Sequence, residues 1–205
     1  MNAMEQCPVC GKRGIFKQVC YDPTAVFYEC PVCGRYEYSM ENNAYEELDY
    51  NELAPFLFYE GFRNQQGRVE HRYYSTKSRE WCDTYTVEFR NDNNIAEMPV
   101  HMDQKIISLW FPKSFSQKID MILIKLNELT EFVGQEIKLD IPSLLSCMFV
   151  RRFKSDNRET VDDKELVKQA LYMTSYLFEI GYVKGINCIN GDVSRADSYY
   201  GEISI

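Results

Sequence analysis

Four cysteines lie in two copies of the sequence Cys-Pro-Val-Cys-Gly, which pair Cys7 with Cys10 and Cys30 with Cys33. A Cys-x-x-Cys turn presents two thiolates from one tight loop. Two such turns complete a tetrahedral zinc shell with Zn–S bonds of about 2.3 Å. The 19 residues between the pairs suit the spacing of paired Cys-x-x-Cys zinc sites. We therefore expect Cys7, Cys10, Cys30 and Cys33 to bind one structural Zn²⁺ ion.

The all-cysteine ligand set indicates a structural rather than a catalytic metal, because it leaves no coordination position for water. Gly11 and Gly34 follow the second cysteine of each pair, where we expect a positive φ and amide hydrogens directed at the sulfurs. A redox dithiol pair, an iron–sulfur cluster and paired disulfides are the alternatives. Thioredoxin-like chemistry, however, needs one Cys-x-x-Cys at the start of a helix. The remaining cysteines are scattered singly and are expected to be small buried hydrophobes, namely Cys20, Cys82, Cys147 and Cys188.

Short stretches of alternating apolar and polar residues surround the cysteine pairs. They predict three strands, at residues 15–21, 25–29 and 35–39, with a turn at Asp22-Pro23. A three-stranded ribbon of this size buries too little apolar area to be stable alone, and a bound metal would supply the missing stabilisation. We predict a zinc ribbon over residues 1–40.

The middle of the chain, residues 41–113, carries mixed signals. An acidic helical pattern covers residues 44–59 and ends before Gly61. Residues 68–90 are rich in Tyr and Thr and predict a pair of strands, and residues 90–99 have the composition of a loop. We expect a mixed helix and strand linker region.

Residues 114–205 predict three helices and a hairpin. The first helix is capped by Ser114 or Ser116 and extends to Gly134, the second has Pro142 in its first turn and continues through Phe153, and the third covers residues 163–180. The third helix is expected to bury Leu166, Val167, Ala170, Leu171, Thr174, Leu177 and Phe178. This order is that of a winged helix. We therefore expect an α+β fold class, with a helical winged-helix-like C-terminal domain that is cut short within the wing.

Composition restricts the possible partners. A net charge of -8 and a pI near 4.9 oppose an extensive contact with nucleic acid, which requires clustered Lys and Arg. No apolar run approaches the roughly 18 residues that span a bilayer, and the N-terminus lacks the features of a secretory signal. We expect a cytoplasmic protein without membrane contact, in which cysteines hold metal rather than form disulfides.

No catalytic motif is present: the sequence contains no G-x-S-x-G elbow, no P-loop and no G-x-G-x-x-G, and neither histidine lies in an acid–base pattern. A nuclease built on paired carboxylates would also need a nearby lysine in a strand core, and none is apparent. We expect no catalytic residue and no enzymatic activity. A hydrolase with an unrecognised site is the alternative.

Nucleic-acid binding is a further alternative, because zinc ribbons and winged helices both serve it and residues 151–153 place two arginines beside a phenylalanine. In a DNA-binding winged helix the last helix enters the major groove. Here that helix sets Lys164 and Lys168 against the acidic residues Asp163, Glu165 and Glu179. We expect a protein partner or self-association in preference to nucleic acid.

The chain contains, in this order, the segments CPVCG, YECPVCGRYEYS, LFYEGFRNQQG, FPKSFSQKIDMILIKL and YLFEIGYVKG, leading to GEISI. This order resembles the N-terminal region of bacterial multidomain proteins in which a zinc-binding and a winged-helix-like segment precede a TIR-like or nucleoside 2-deoxyribosyltransferase-like domain. Nucleotide- or NAD-directed chemistry lies in that C-terminal domain, so only the four cysteines transfer to this chain. The resemblance implies a non-enzymatic regulatory or sensing module that controls a downstream effector domain, in an anti-phage defence effector.

Overall fold

The computed structural model describes residues 5–21, 24–40, 46–65, 68–84, 99–132, 135–154, 159–182, 185–188 and 200–204. These residues form a mixed arrangement of helices and strands, which confirms the α+β class. The chain divides into two compact units, Met1–Phe111 and Pro112–Ile205. The finer division into residues 1–40, 41–113 and 114–205 stays a prediction.

The described part of the first unit contains eight strands and three helices. Its strands are β1 (Glu5–Gln6), β2 (Arg13–Tyr21), β3 (Thr24–Cys30), β4 (Gly34–Ser39), β5 (Phe62–Gln65), β6 (Arg68–His71), β7 (Tyr73–Ser75) and β8 (Pro99–His101). Its helices are α1 (Tyr50–Glu60), α2 (residues 79–84) and α3 (Gln104–Trp110). Six strands form one sheet in the order β1-β2-β3-β4-β7-β8, and β5 pairs with β6 separately.

The predicted ribbon is present as the antiparallel strands β2, β3 and β4, but it is part of a larger sheet. Strand β4 also pairs in parallel with β7, and β7 pairs in parallel with β8. Strand β4 is therefore an interior strand, and all of its residues except Arg35 are buried. The predicted turn at Asp22-Pro23 lies outside the described residues.

Helix α1 packs its apolar residues into the core of the first unit. Asp49 caps it by accepting a hydrogen bond from the Asn51 N–H, and its last turn closes at Gly61, whose N–H donates to the Leu57 carbonyl at 2.7 Å. Among the described residues of this unit, the largest fully buried side chains are Val9, Val32, Tyr36, Leu53, Leu57, Met102 and Ile107.

Residues 68–90 were predicted to form a pair of strands, and β6 and β7 lie in this range, but they pair with β5 and β4 and not with each other. Helix α2 follows them, where Ser78 accepts a hydrogen bond from the Trp81 N–H, and residues 85–90 lie outside the described residues.

The described part of the second unit alternates helices with a small sheet. Its elements are α4 (Phe115–Glu128), β9 (Glu136–Asp140), α5 (Ile141–Cys147), α6 (Asp163–Glu179), β10 (Gly185–Cys188) and β11 (Tyr200–Ser204). The strands form an antiparallel sheet in the order β10-β11-β9. Strand β9, which completes this sheet, was not predicted.

Two helix ends in the second unit lie where the sequence predicted them from capping residues. Ser114 caps α4 in a capping box with Gln117, and Gly181, with a φ of 80°, follows the end of α6. Helix α5 is shorter than predicted, because Phe149 adopts a φ of 54° and the chain leaves the helical conformation before Phe153. Helix α4 likewise ends at Glu128, before the predicted Gly134.

The buried face of α6 is narrower than its apolar pattern indicated. Val167, Leu171 and Phe178 were expected in the core, but each is exposed. The buried stripe consists of Leu166, Ala170, Met173, Thr174 and Leu177. Among the described residues no helix combines the length and the apolar character needed to cross a bilayer.

Candidate metal centre

The cysteines lie on two tight loops, the first cysteine loop (residues 7–11) and the second cysteine loop (residues 30–34). Gly11 and Gly34 have φ angles of 76° and 74°, which confirms the predicted left-handed conformation. The first cysteine loop is closed by a hydrogen bond from the Gly11 N–H to the Cys7 carbonyl at 2.9 Å. In the second, the Val32 N–H is directed at the Cys30 Sγ at 3.4 Å. Each loop therefore turns its sulfurs inward.

The two cysteine loops bring all four predicted ligands to one point. The Sγ atoms lie within 4.8 Å of one another, with 3.5 Å between Cys10 and Cys30 and 3.9 Å between Cys7 and Cys33. None of the four cysteines is more than 1% exposed. Within the described residues this is the only group of three or more His, Cys, Asp or Glu side chains with such a geometry.

The sulfur spacing fits a single tetrahedral ion. Metal–sulfur bonds of about 2.3 Å place neighbouring sulfurs of a tetrahedron about 3.8 Å apart, which lies between the Cys10–Cys30 and Cys7–Cys33 distances. A disulfide needs a separation of about 2.05 Å, and all four cysteines are free thiols. The arrangement could therefore hold one metal ion, with no coordination position left for water.

The four buried thiols do not ionise equally. Burial favours the neutral thiol and raises the pKa of Cys10 and of Cys33. Burial also opposes ionisation of Cys7, but hydrogen bonds with the other three thiols outweigh it and lower the pKa of Cys7. A hydrogen bond with Cys10 is the main cause of the lowered pKa of Cys30. A bound cation would favour the thiolate form at all four positions, since deprotonation and metal binding are linked.

Tyr36 supplies a hydrogen bond to the cysteine cluster that the sequence did not indicate. Burial raises the pKa of Tyr36 well above its usual value, so the hydroxyl keeps its proton. It lies 2.9 Å from the Cys7 Sγ and donates to it when Cys7 is a thiolate. The ring is held by stacking on Tyr28 at 5.1 Å and by an edge contact with Tyr38 at 5.4 Å. Tyr36 thus orients a ligand from outside the coordination shell.

The end of helix α1 lies directly against the second cysteine loop. A Cβ atom added at Gly61 would lie 2.7 Å from the Cys33 carbonyl oxygen and 2.5 Å from that of Leu57. A Cβ at Gly34 would lie 3.3 Å from the Gly61 Cα. Sequence analysis treated Gly61 only as a helix terminator. The structure shows that it also allows two backbone segments to touch beside the candidate metal ligands.

A buried polar cluster lies at the carboxyl ends of the parallel strands. Lys77 contacts Glu37 with an Nζ–Oε1 distance of 3.5 Å, and the Ser75 hydroxyl donates to the same oxygen at 2.5 Å. The Lys77 ammonium also lies 3.7 Å from the centre of the Trp81 ring. No sequence pattern indicated this lysine, which follows β7 and is buried beside a carboxylate of β4. Because the side chain of Lys77 is only 5% exposed, we assign this ion pair to the stability of the fold.

Two of the other four cysteines, Cys82 and Cys147, are buried and form no disulfide, as predicted. The side chains of Cys20 and Cys188 lie outside the described residues. Comparison with protein-family models, with curated proteins and with solved structures gave no match.

Proposed function

We propose that the chain is a non-enzymatic zinc-binding module that senses a ligand or partner, makes contact with a protein or with a second copy, and regulates an effector domain. The observation that carries the proposal is the buried tetrahedron of Cys7, Cys10, Cys30 and Cys33. Four thiolates in tetrahedral geometry suit Zn²⁺, which has no redox chemistry of its own. Such an ion would contribute on the order of 10 kcal/mol to folding.

The topology of the second unit supports a winged-helix assignment. Its order is helix, strand, two helices and two strands, with the three strands in one antiparallel sheet. Helix α6 corresponds to the helix that would enter a DNA groove, and it exposes Glu165 and Glu179 as well as Lys164 and Lys168. Balanced charge on this helix favours a protein partner over DNA.

Large exposed apolar side chains in the second unit also support protein contact. Among the described residues of this unit, six are more than half exposed: Ile124, Phe132, Val167, Tyr172, Phe178 and Tyr182. Phe132 and Tyr182 line one groove with Leu123, at a volume of about 350 Å³. Exposed aromatic residues around a groove are typical of interaction surfaces.

The metal assignment is tested by elemental analysis and chelation of the purified chain. We expect one zinc per chain, and we expect Cys30→Ser to lose the zinc and to expose the β2–β4 ribbon to protease. Cys82→Ser is the matched control, because Cys82 is an equally buried free thiol outside the cluster. Full zinc occupancy in Cys30→Ser, or a ribbon that stays protected after chelation, would overturn the structural role. Iron in place of zinc would overturn the identity of the ion.

The choice of partner is tested by sedimentation of the chain over a range of concentrations and by titration with duplex DNA at physiological salt. We expect self-association or capture of a protein partner that Phe132→Ser weakens, and no salt-sensitive DNA binding. DNA binding that Arg151→Ala and Arg152→Ala abolish would instead support the nucleic-acid regulator. Control of an effector further predicts an α/β domain encoded in the same reading frame.

A further inference from the structure

The second unit contains a groove of about 370 Å³ between helix α4, the segment after α5, and helix α6. Its volume lies in the range of about 300–1,000 Å³ that small-molecule sites occupy. Phe115 and Lys118 line it from α4, Phe149 from the segment after α5, and Lys168 and Tyr172 from α6. The groove therefore combines cations with aromatic rings in one concave surface.

Positive charge dominates the groove. Lys118 is only partly exposed, and its ammonium lies 5.9 Å from the centre of the Phe149 ring. Burial lowers the pKa of Lys118, and the charge of Arg151, which is not among the residues lining the groove, lowers it further. Lys168 adds a second lysine at the exposed rim. Glu165 is the one carboxylate among the described residues that line the groove, and its oxygen lies 3.9 Å from the Lys168 Nζ.

Of the aromatic rings that line the groove, the ring of Tyr172 is exposed enough to stack on a flat ligand. Phe115 packs edge-on against Tyr176 at 4.9 Å and against Tyr172 at 6.3 Å. Tyr172 is 67% exposed, which leaves ring surface open to the groove. Phe149 is buried and forms part of the lining, in the only left-handed conformation found for a non-glycine residue within the described ranges. Such backbone conformations cost free energy and are concentrated at ligand-binding segments.

From this juxtaposition we infer that the groove binds a nucleotide, with the phosphates beside Lys118 and Lys168 and the base stacked on Tyr172. A mononucleotide needs only two or three cations, so an acidic chain with a net charge of -8 can hold it without the extended basic surface that a nucleic acid requires. Aromatic side chains stack on any base, and lysine forms charge-assisted hydrogen bonds with phosphate. The inference names a ligand class for the proposed sensing function and rests on that function.

The test is a titration of the zinc-loaded chain with ATP that carries a fluorescent N-methylanthraniloyl group on the ribose. We expect saturable binding that unlabelled ATP reverses, while inorganic triphosphate and adenosine each compete about tenfold or more less well, because each makes only part of the contacts. Lys118→Met and Tyr172→Ala should each weaken binding by about tenfold or more. Lys105→Met and Leu109→Ala, which change an exposed lysine and an exposed apolar residue that line neither groove, should leave the affinity unchanged.

Circular dichroism of each variant separates loss of binding from loss of folding. If Lys118→Met does not fold, Lys168→Met replaces it, because that side chain is 81% exposed. Three results would overturn the inference: no saturable binding, equal effects of groove and control variants, or triphosphate competing as well as ATP. Displacement of the probe by a short single-stranded oligonucleotide far more readily than by ATP would also overturn it. Zinc is measured on the same samples, so that failure of the nucleotide inference is distinguished from failure of the proposed function. A chain that contains zinc but does not bind nucleotide would overturn only the nucleotide inference.

Discussion

Replacement of Lys77 by methionine tests whether the buried ion pair stabilises the first unit. Lys77 and Glu37 are 5% and 3% exposed, and their charged atoms are 3.5 Å apart. Methionine keeps the length and the apolar stem of lysine but removes the charge. Lys77→Met therefore leaves the Glu37 carboxylate buried without its cation, while the Ser75 hydroxyl continues to donate to it.

The expected loss of stability follows from this geometry. At 3.5 Å and an effective dielectric constant of about 20, the Coulomb attraction is about 5 kcal/mol, part of which is offset by desolvation. Breaking a buried pair by removing one partner costs about 3–5 kcal/mol. Because Ser75 still satisfies one carboxylate oxygen, we expect a loss of about 3 kcal/mol, which corresponds to a decrease in Tm on the order of 15 °C for a unit of this size.

Urea unfolding followed by tryptophan fluorescence measures this loss, because both tryptophans of the chain, Trp81 and Trp110, lie in the first unit. The matched control is Lys17→Met. The Lys17–Glu5 ion pair is shorter, at 2.9 Å, but its side chains are 33% and 41% exposed. Solvent-exposed pairs contribute about 0–1 kcal/mol, so the control should be nearly as stable as the wild type.

The double variant Glu37→Gln with Lys77→Met identifies the cause of the loss. The glutamine amide oxygen can still accept from Ser75, and no charge is left without a partner, so the double variant should recover at least half of the lost stability. Equal stabilities of Lys77→Met and Lys17→Met would refute the reasoning from burial. A double variant no more stable than the single one would show that the uncompensated carboxylate is not the cause.

Three further predictions concern the metal centre and a helix cap. Gly61→Ala should cost more than about 2 kcal/mol and speed zinc release, because its Cβ would lie within 2.7 Å of two carbonyl oxygens; urea unfolding and chelator-induced release measure both, and normal release would contradict the contact with the second cysteine loop. Tyr36→Phe removes the hydroxyl that donates to Cys7 and should lower zinc affinity by about tenfold. It should also shift the sulfur-to-metal absorption of the Co²⁺-substituted chain, and an unchanged spectrum would argue against the role. Asp103→Ala removes the N-cap of α3 and should cost about 1 kcal/mol near neutral pH. Burial alone would raise the pKa of Asp103, but hydrogen bonds from the helix N–H and from His101 lower it. The cap therefore stabilises the fold above the unfolded-state pKa of about 4 and loses this effect as the pH falls through the lowered folded-state pKa, so the wild type and the variant should converge in acid.

Features that depend on neighbouring residues were predictable from the sequence. The Cys-x-x-Cys spacing identified the four side chains that the structure brings together, because each pair is presented by one short loop. A capping serine located the start of α4, and Gly181 located the end of α6, because a cap is a hydrogen bond or a φ angle within one turn. Alternation of apolar and polar residues likewise located strands β2, β3 and β4.

Predictions that depended on contacts between distant parts of the chain, such as which face of a helix is buried, were less successful. The apolar pattern of α6 is wider than the stripe that its neighbours cover, so Val167, Leu171 and Phe178 are exposed despite their type. Apolar residues after Cys147 continued a helical pattern, but Phe149 adopts a left-handed conformation that no local signal indicated. Strand β9 is recognisable only through its pairing with β11, whose residues are some sixty positions away.

The sequence alone was enough to identify the four candidate metal ligands, the α+β class and the strands of the ribbon. Only the tertiary structure placed the Tyr36 hydroxyl on Cys7, Gly61 against Cys33, and Lys77 beside Glu37. The contact of Lys77 with Glu37 follows from long-range pairing, in which β4 and β7 come from distant parts of the chain and lie in parallel. Local periodicity encodes which face of a strand is apolar, whereas the partner of that strand is decided by the packing of the whole unit.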